Sequence, residues 1–211
     1  MFSKSASTFL SVALVGLSLA ANVGSDAFAQ DAKPQLTRVR GTVVSLDGEI
    51  LKVKTRKGEL VDVALAEGSR VAGVARAAIS DIKTGDYVGI ASLPKSGGGD
   101  GAIEVLIFPP AMKGTGEGSF AYDLKPNSSM TNATVADAVQ GVNGQTLTVS
   151  FHGKDKQIVV AEGTPVVTLA AATKADLKPG AVVFIPAEKG PDGSISTHQV
   201  VVGTNGVVPP M

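Results

Sequence analysis

Cysteine is absent from all 211 residues, and only two histidines are present. Without cysteine there is no disulfide framework, thiolate metal site, redox pair or cysteine nucleophile. Aromatic residues make up only 4%. An excess of charge of either sign is missing as well, because 19 Lys and Arg balance 19 Asp and Glu. A dedicated nucleic-acid binder needs a basic excess to neutralise phosphates, so no nucleic-acid partner is expected. The chain is nevertheless 44% hydrophobic, too apolar and too neutral for a disordered polypeptide. What is plentiful is valine and glycine, the latter at 25 residues. That mixture suits many short strands joined by tight turns.

Lys4 is the only charge before Asp26, and Phe9 to Ala21 is an apolar run, FLSVALVGLSLAA, of 13 residues. Ala27-Phe28-Ala29 then places small residues three and one before a cut. A charged start, a short apolar run and an Ala-x-Ala site make a secretory signal peptide over residues 1–29. The run is well short of the roughly 20 residues that span a bilayer. The mature chain is expected to begin at Gln30 with a tail over 30–37, to carry no membrane span, and to be periplasmic or secreted.

The sequence reads as two copies of one unit, the feature to seek before any motif. Val39, Val43, Leu51 and Val53 meet Val135, Val139, Leu147 and Val149 at an offset of 96. Ala66-Glu67-Gly68 meets Ala161-Glu162-Gly163, and Asp81-Ile82-Lys83-Thr84-Gly85 meets Asp176-Leu177-Lys178-Pro179-Gly180, at 95. In the first copy, Leu51, Val53, Val61, Val63 and Leu65 alternate with less apolar residues, the period of a half-buried strand. Asp47-Gly48 and Asn143-Gly144 are the Asx-Gly pairs that tight hairpins favour. The only helix-like stretch is a turn or two within Ala75 to Gly85.

About six short strands per copy predict an all-β protein made of two tandem small β-barrels, OB-like or SH3-like, with a two-sheet β-sandwich as the alternative. Closure removes exposed edges. The expected boundaries are 38–108 for barrel unit 1, 109–133 for a Gly/Pro-rich linker, 134–204 for barrel unit 2 and 205–211 for a C-terminal tail. A unit of this size alone buries only about 60% of its surface and is marginal, so the two are expected to pack together.

The order strand, Asp-Gly, strand, Ala-Glu-Gly, Asp-Ile/Leu-Lys-x-Gly, strand, Asp-Gly, strand resembles an exported bacterial domain-of-unknown-function family, alphaproteobacterial in type. The resemblance covers 39–108 and, less closely, 135–203, and it extends to the joining segment FPPAMKGTGEGSFAYDLKPNSSMTNATV. It implies tandem OB-like β units and export. Some relatives carry labels naming a metal-transporter permease, which a chain expected to have no membrane span would not be. The family implies no activity and no site residues.

Candidate chemistry is sparse. Ser80-Asp-Ile-Lys83 has the Ser-x-x-Lys spacing of serine acyl enzymes, but the other copy has Ala175 in place of the serine. His152 and His198 are isolated, Met112, Met130 and Met211 are scattered, and a metal site needs three or four converging ligands. No metal and no cofactor is expected. Asp100-Gly101 and Asp192-Gly193 belong to no calcium loop and read as turns. Arg38, Arg40, Lys52, Lys54 and Arg56 form a candidate anionic-ligand surface, without the aromatic platforms that nucleic-acid strands use. The joining segment carries Met112, Lys113, Phe120, Tyr122 and Met130, a candidate partner surface or a strap docking across both barrels.

The expectation is therefore an exported binding or scaffolding protein without catalysis, meeting an unknown protein or envelope ligand. The alternatives are a metal-binding accessory of a transporter and, further off, a hydrolase using paired carboxylates.

Overall fold

The structure is a computed structural model and describes residues 35–209. The expected signal peptide and its cut at Ala27 and Ala29 lie outside the described residues. Twelve strands run in order: β1 (Gln35–Asp47), β2 (Ile50–Thr55), β3 (Leu60–Ala77), β4 (Tyr87–Pro94), β5 (Asp100–Ile107), β6 (Gly118–Tyr122), β7 (Ser128–Gly141), β8 (Gly144–Phe151), β9 (Lys154–Ala161), β10 (Val166–Ala171), β11 (Val182–Lys189) and β12 (Ile195–Gly203). Only three single 3-10 turns, at Ile79–Asp81, Pro110–Met112 and Lys174–Asp176, interrupt them. The fold is all-β, as expected, and no described helix is long and apolar enough to cross a membrane.

The strands close into rings. β1 pairs with β2, β2 with β3, β3 with β12, β12 with β11, and β11 returns to β1. The β3–β12 contact is parallel and the others are antiparallel. This ring, ring one, takes three strands from the first half of the chain and two from the second. A second ring joins β7, β8, β9, β5 and β4 in the same way, closed by a short parallel β5–β9 contact. The sequence boundaries 38–108 and 134–204 mark out the two halves. Each ring, however, is built from both. The halves exchange their last two strands, so the barrels are interleaved rather than tandem.

The exchange runs through a central seam. β3 outlasts ring one, and its second part pairs with β10, which in turn pairs with β5. The chain then makes the turn at Ile79–Asp81 and enters ring two as β4. Asp81 accepts the Ala78 N–H at 2.8 Å, and Asp176 accepts the Thr173 N–H at 2.8 Å in the corresponding turn. Each turn drives one apolar residue into a core. Ile82 enters the core of ring two and Leu177 that of ring one.

Period-two patterning fills both rings. Val43, Leu51, Val53, Val63 and Ile185 are at the centre of ring one, and Ile90, Val135, Leu147, Val149 and Ile158 at that of ring two. Between them Val74, Leu106, Val167, Phe184 and Val201 form a third cluster along the seam. Val135 lies opposite Val149 as Val43 lies opposite Val53. Val135 therefore corresponds to Val43, an offset of 92, and not to Val39 at 96. The second hairpin is four residues longer, which changes the offset at the turn. Its central residues are Val142 and Asn143, and those of the first are Gly48 and Glu49. The expected Asx-Gly pairs are each displaced by one residue. Gly41 is needed where β1 passes from β11 to β2, because a Cβ there would collide with the Lys54 carbonyl oxygen.

The stretch expected as a 109–133 linker contains the turn at Pro110–Met112, all of β6 and the start of β7. β1 likewise begins inside the expected 30–37 tail.

Candidate functional site

β6 lies along the first part of β7, with Phe120 opposite Met130 and Tyr122 opposite Ser128. Ser128 fixes the bend between them. Its hydroxyl reaches the carbonyls of Tyr122 at 2.9 Å and Lys125 at 2.8 Å, and Asn127 takes a left-handed φ of 62°. The approach to β6 is pinned to ring two. Lys113 donates to the Gly85 carbonyl at 3.2 Å, Tyr87 to the Thr115 carbonyl at 3.0 Å, and Asn132 to the Gly116 carbonyl at 3.0 Å. Glu117 accepts the His152 N–H at 2.8 Å.

Beyond β6 the hairpin reaches ring one. Asp123 takes two hydrogen bonds from Arg40, each 3.0 Å, and lies 3.5 Å from Arg38. Both guanidinium groups lie over Tyr122, at 4.9 Å for Arg38 and 5.3 Å for Arg40, and Arg40 also lies 5.0 Å from the Phe184 ring centre. The planar cation suits this stacking. The Arg40 hydrogen bonds hold the Asp123 carboxyl below its usual value, against the opposing effect of burial. Burial would lower the Arg40 value, but Asp123 and Tyr122 together raise it. Burial raises the Tyr122 phenol, with the two arginines opposing.

Between this hairpin and ring one is a cleft of about 180 Å³, walled by Phe108, Phe120, Tyr122, Phe184, Met130 and Leu106. Arg38, Glu104 and Asn132 supply its polar rim. Four of the six aromatic residues in the described chain meet here. Tyr87 stands behind Phe108 at 5.4 Å. Phe120 is 42% exposed and Met130 only 6%, so the cleft has a covered floor and an accessible aromatic lip.

The sequence candidates separate into two groups. Phe120, Tyr122 and Met130 come together at the cleft with Arg38. Met112 is half-buried away from it, and Lys113 serves as an anchor on Gly85. The candidate anionic surface is divided. Arg38 and Arg40 turn to Tyr122 and Asp123, Lys52 is paired with Asp62 at 2.9 Å, and Lys54 and Arg56 are exposed on the neighbouring strand and its turn. Phe108, Phe184, Leu106, Glu104 and Asn132 escaped the sequence reading. Comparing the halves reveals the signal: Phe184 stands where the other half has Gly89, and Phe108 where it has Gly203.

A second departure between the rings is polar. Inside one end of ring two, Lys156 is paired with Asp100 at 2.6 Å and lies 3.3 Å from the Thr131 hydroxyl. Ser92 bridges Asp100 at 3.2 Å and Ser129 at 3.1 Å, and Ser119 bonds Thr131 at 2.9 Å. The corresponding positions in ring one hold Val61 for Lys156, Ile195 for Asp100, Ala187 for Ser92 and Val39 for Thr131, all packed into the core. The lysine is committed to a carboxylate. Ser80 is exposed on its single turn. His152 sits at a tight turn with φ 47°, and no three His, Asp or Glu converge among the described residues.

No family model, curated protein or solved structure matches the chain.

Proposed function

We propose that this chain is an exported, non-catalytic binding or scaffolding module, a duplicated OB-like unit that presents one aromatic cleft. The duplication is supported by pairings that recur 95 positions apart, Val71 with Val200 and Val166 with Val105. The OB-like assignment is supported by the strand order of each ring, in which the third and fifth strands of the unit run parallel. The observation that carries the binding role is the gathering of Phe108, Phe120, Tyr122 and Phe184 at one cleft in a chain so poor in aromatics. Apolar walls with a few converging polar groups are the ordinary form of a ligand site. A volume of about 180 Å³ fits one ring or one branched side chain. Arg38 at the rim favours a ligand with a hydrogen-bond acceptor beside its apolar group.

The test is a titration with N-acetyl-tyrosine amide, N-acetyl-leucine amide and indole, followed by NMR at the Met130 methyl and the Phe120 ring. Saturable shifts at those two groups, weakened at least several-fold by Phe120→Ala, support the reading. Absence of shifts, or shifts located elsewhere, overturns it.

A further inference from the structure

The first part of β7 is covered on one edge by β4 and on the other by β6. The corresponding part of β1 pairs with β11 through Gln35–Thr42, and its pairing to β2 begins only at Gly41. Among the described residues no strand lies on the outer edge of 35–39. Leu36 is 82% exposed there, whereas Ser128, at the same place on β7, is 3% exposed. An open edge of this kind is a template for another strand.

The sequence indicates which strand fits. Phe120-Ala-Tyr-Asp-Leu-Lys-Pro126 and Phe28-Ala-Gln-Asp-Ala-Lys-Pro34 are identical at five of seven positions. Their offset is 92, the same as that relating Val135 to Val43. Ser119, which bonds Thr131 across the β6–β7 ladder, has Ala27 at that offset, and Thr131 has Val39. A hydroxyl pair in one half is thus an apolar pair in the other. Strand and acceptor change together.

We propose that the outer edge of β1 is a strand acceptor for an extended polypeptide of Ala-Phe-Ala-x-Asp chemistry, added antiparallel as β6 is added to β7. Main-chain hydrogen bonds along 35–39 supply the affinity, and alternate side chains supply the selectivity. In the register of β6, the phenylalanine stands opposite Arg38, which favours an aromatic face. The alanines stand opposite Thr37 and Val39, where only small side chains meet the ring. This deepens the binding-module reading and shares only Arg38 with the aromatic cleft, so protection at the Leu36 amide separates the edge from shifts at Phe120 and Met130.

The test uses the chain from Gln30 to Met211, which retains every described strand, and a synthetic peptide of the sequence SDAFAQDA. Isothermal titration gives the affinity, and amide hydrogen exchange locates the site. The expected result is saturable binding with slowed exchange at Leu36 and Arg38, whose N–H groups face the outer edge, the odd positions of β1 facing β11. A scrambled peptide and one with the phenylalanine replaced by aspartate should bind at least tenfold more weakly. A second peptide, SFAYDL, is expected to compete. Binding that slows exchange only around Phe120 and Met130 assigns the peptide to the cleft and overturns the proposal. Equal binding of the scrambled peptide, or no binding by either native sequence, overturns it as well.

Discussion

Val74 and Leu169 lie opposite each other in the antiparallel β3–β10 ladder. They also occupy corresponding positions of the two halves, 95 residues apart. The flanking pairs repeat the relation, with Ala72 opposite Ala171 and Arg76 opposite Val167. A ladder that maps onto itself when the halves are exchanged defines a local two-fold axis. On either side of it β3 pairs in parallel with β12 and β10 with β5. The last two strands of each half are thereby carried across the axis into the other ring.

This arrangement predicts one cooperative unit. Leu51 in ring one and Leu147 in ring two are both fully buried. Leu51→Ala and Leu147→Ala should each cost about 2–5 kcal/mol. Both should lower a single melting transition, because neither ring can open without removing strands from the other half. Calorimetry checks this, and two separable transitions, each sensitive to one of the variants, would contradict it.

The polar end of ring two predicts a contrast between breaking and replacing it. Lys156→Met leaves the Asp100 carboxylate, only 17% exposed, without its cation and should destabilise by about 3 kcal/mol. Substituting the residues of ring one together, Lys156→Val with Asp100→Ile, Ser92→Ala and Thr131→Val, should recover most of that loss. Replacing a buried ion pair with well-packed apolar side chains is often neutral or stabilising. Urea denaturation of the two variants gives the comparison. A quadruple variant less stable than Lys156→Met would show that the two ends are not interchangeable.

Asp123 predicts a modest acid dependence. Its carboxyl is held below its usual value by the Arg40 hydrogen bonds. Its contribution is therefore complete above the unfolded value of about 3.9 and is lost as pH falls through the lower folded value. The side chain is 51% exposed, so solvent screening limits the effect to under about 1 kcal/mol. Asp123→Asn should be less stable than the parent at pH 7, and the difference should shrink below pH 4. A difference that grows on acidification would refute this assignment.

Much of the fold was legible because period two survives any even displacement. Leu51, Val53, Val63 and Leu65 announce inward faces, and the offset of 95 holds from Ala66 to Ile90. The same property hid the offset of 92. The longer second hairpin adds four residues, an even number, so Val39 still meets a valine at 96 and the wrong pairing looks sound. The exchange between rings left no trace, because β4 and β5 present the same inward pattern to whichever ring receives them. At the cleft, Phe120, Tyr122 and Met130 stood out by their rarity. Phe184 and Phe108 did not, since each sits in a strand where an aromatic residue reads as ordinary core. Lys156 and Asp100 were legible in principle as charges at inward positions where the other half has Val61 and Ile195.

The interleaving of the two rings is tested most directly by engineered disulfides, for which a chain without cysteine is well suited. Thr37 pairs with Ala187 across β1 and β11. Ser92 is the residue of the first half that corresponds to Ala187. Directly opposed residues on antiparallel strands lie about 4.5–5.5 Å apart at Cα, within the disulfide range of about 4.4–6.8 Å. Under mild oxidation, Thr37→Cys with Ala187→Cys should close quantitatively, and Thr37→Cys with Ser92→Cys should stay reduced. Closure of the second pair and not the first would mean that each half keeps its own strands, and would contradict the exchanged fold.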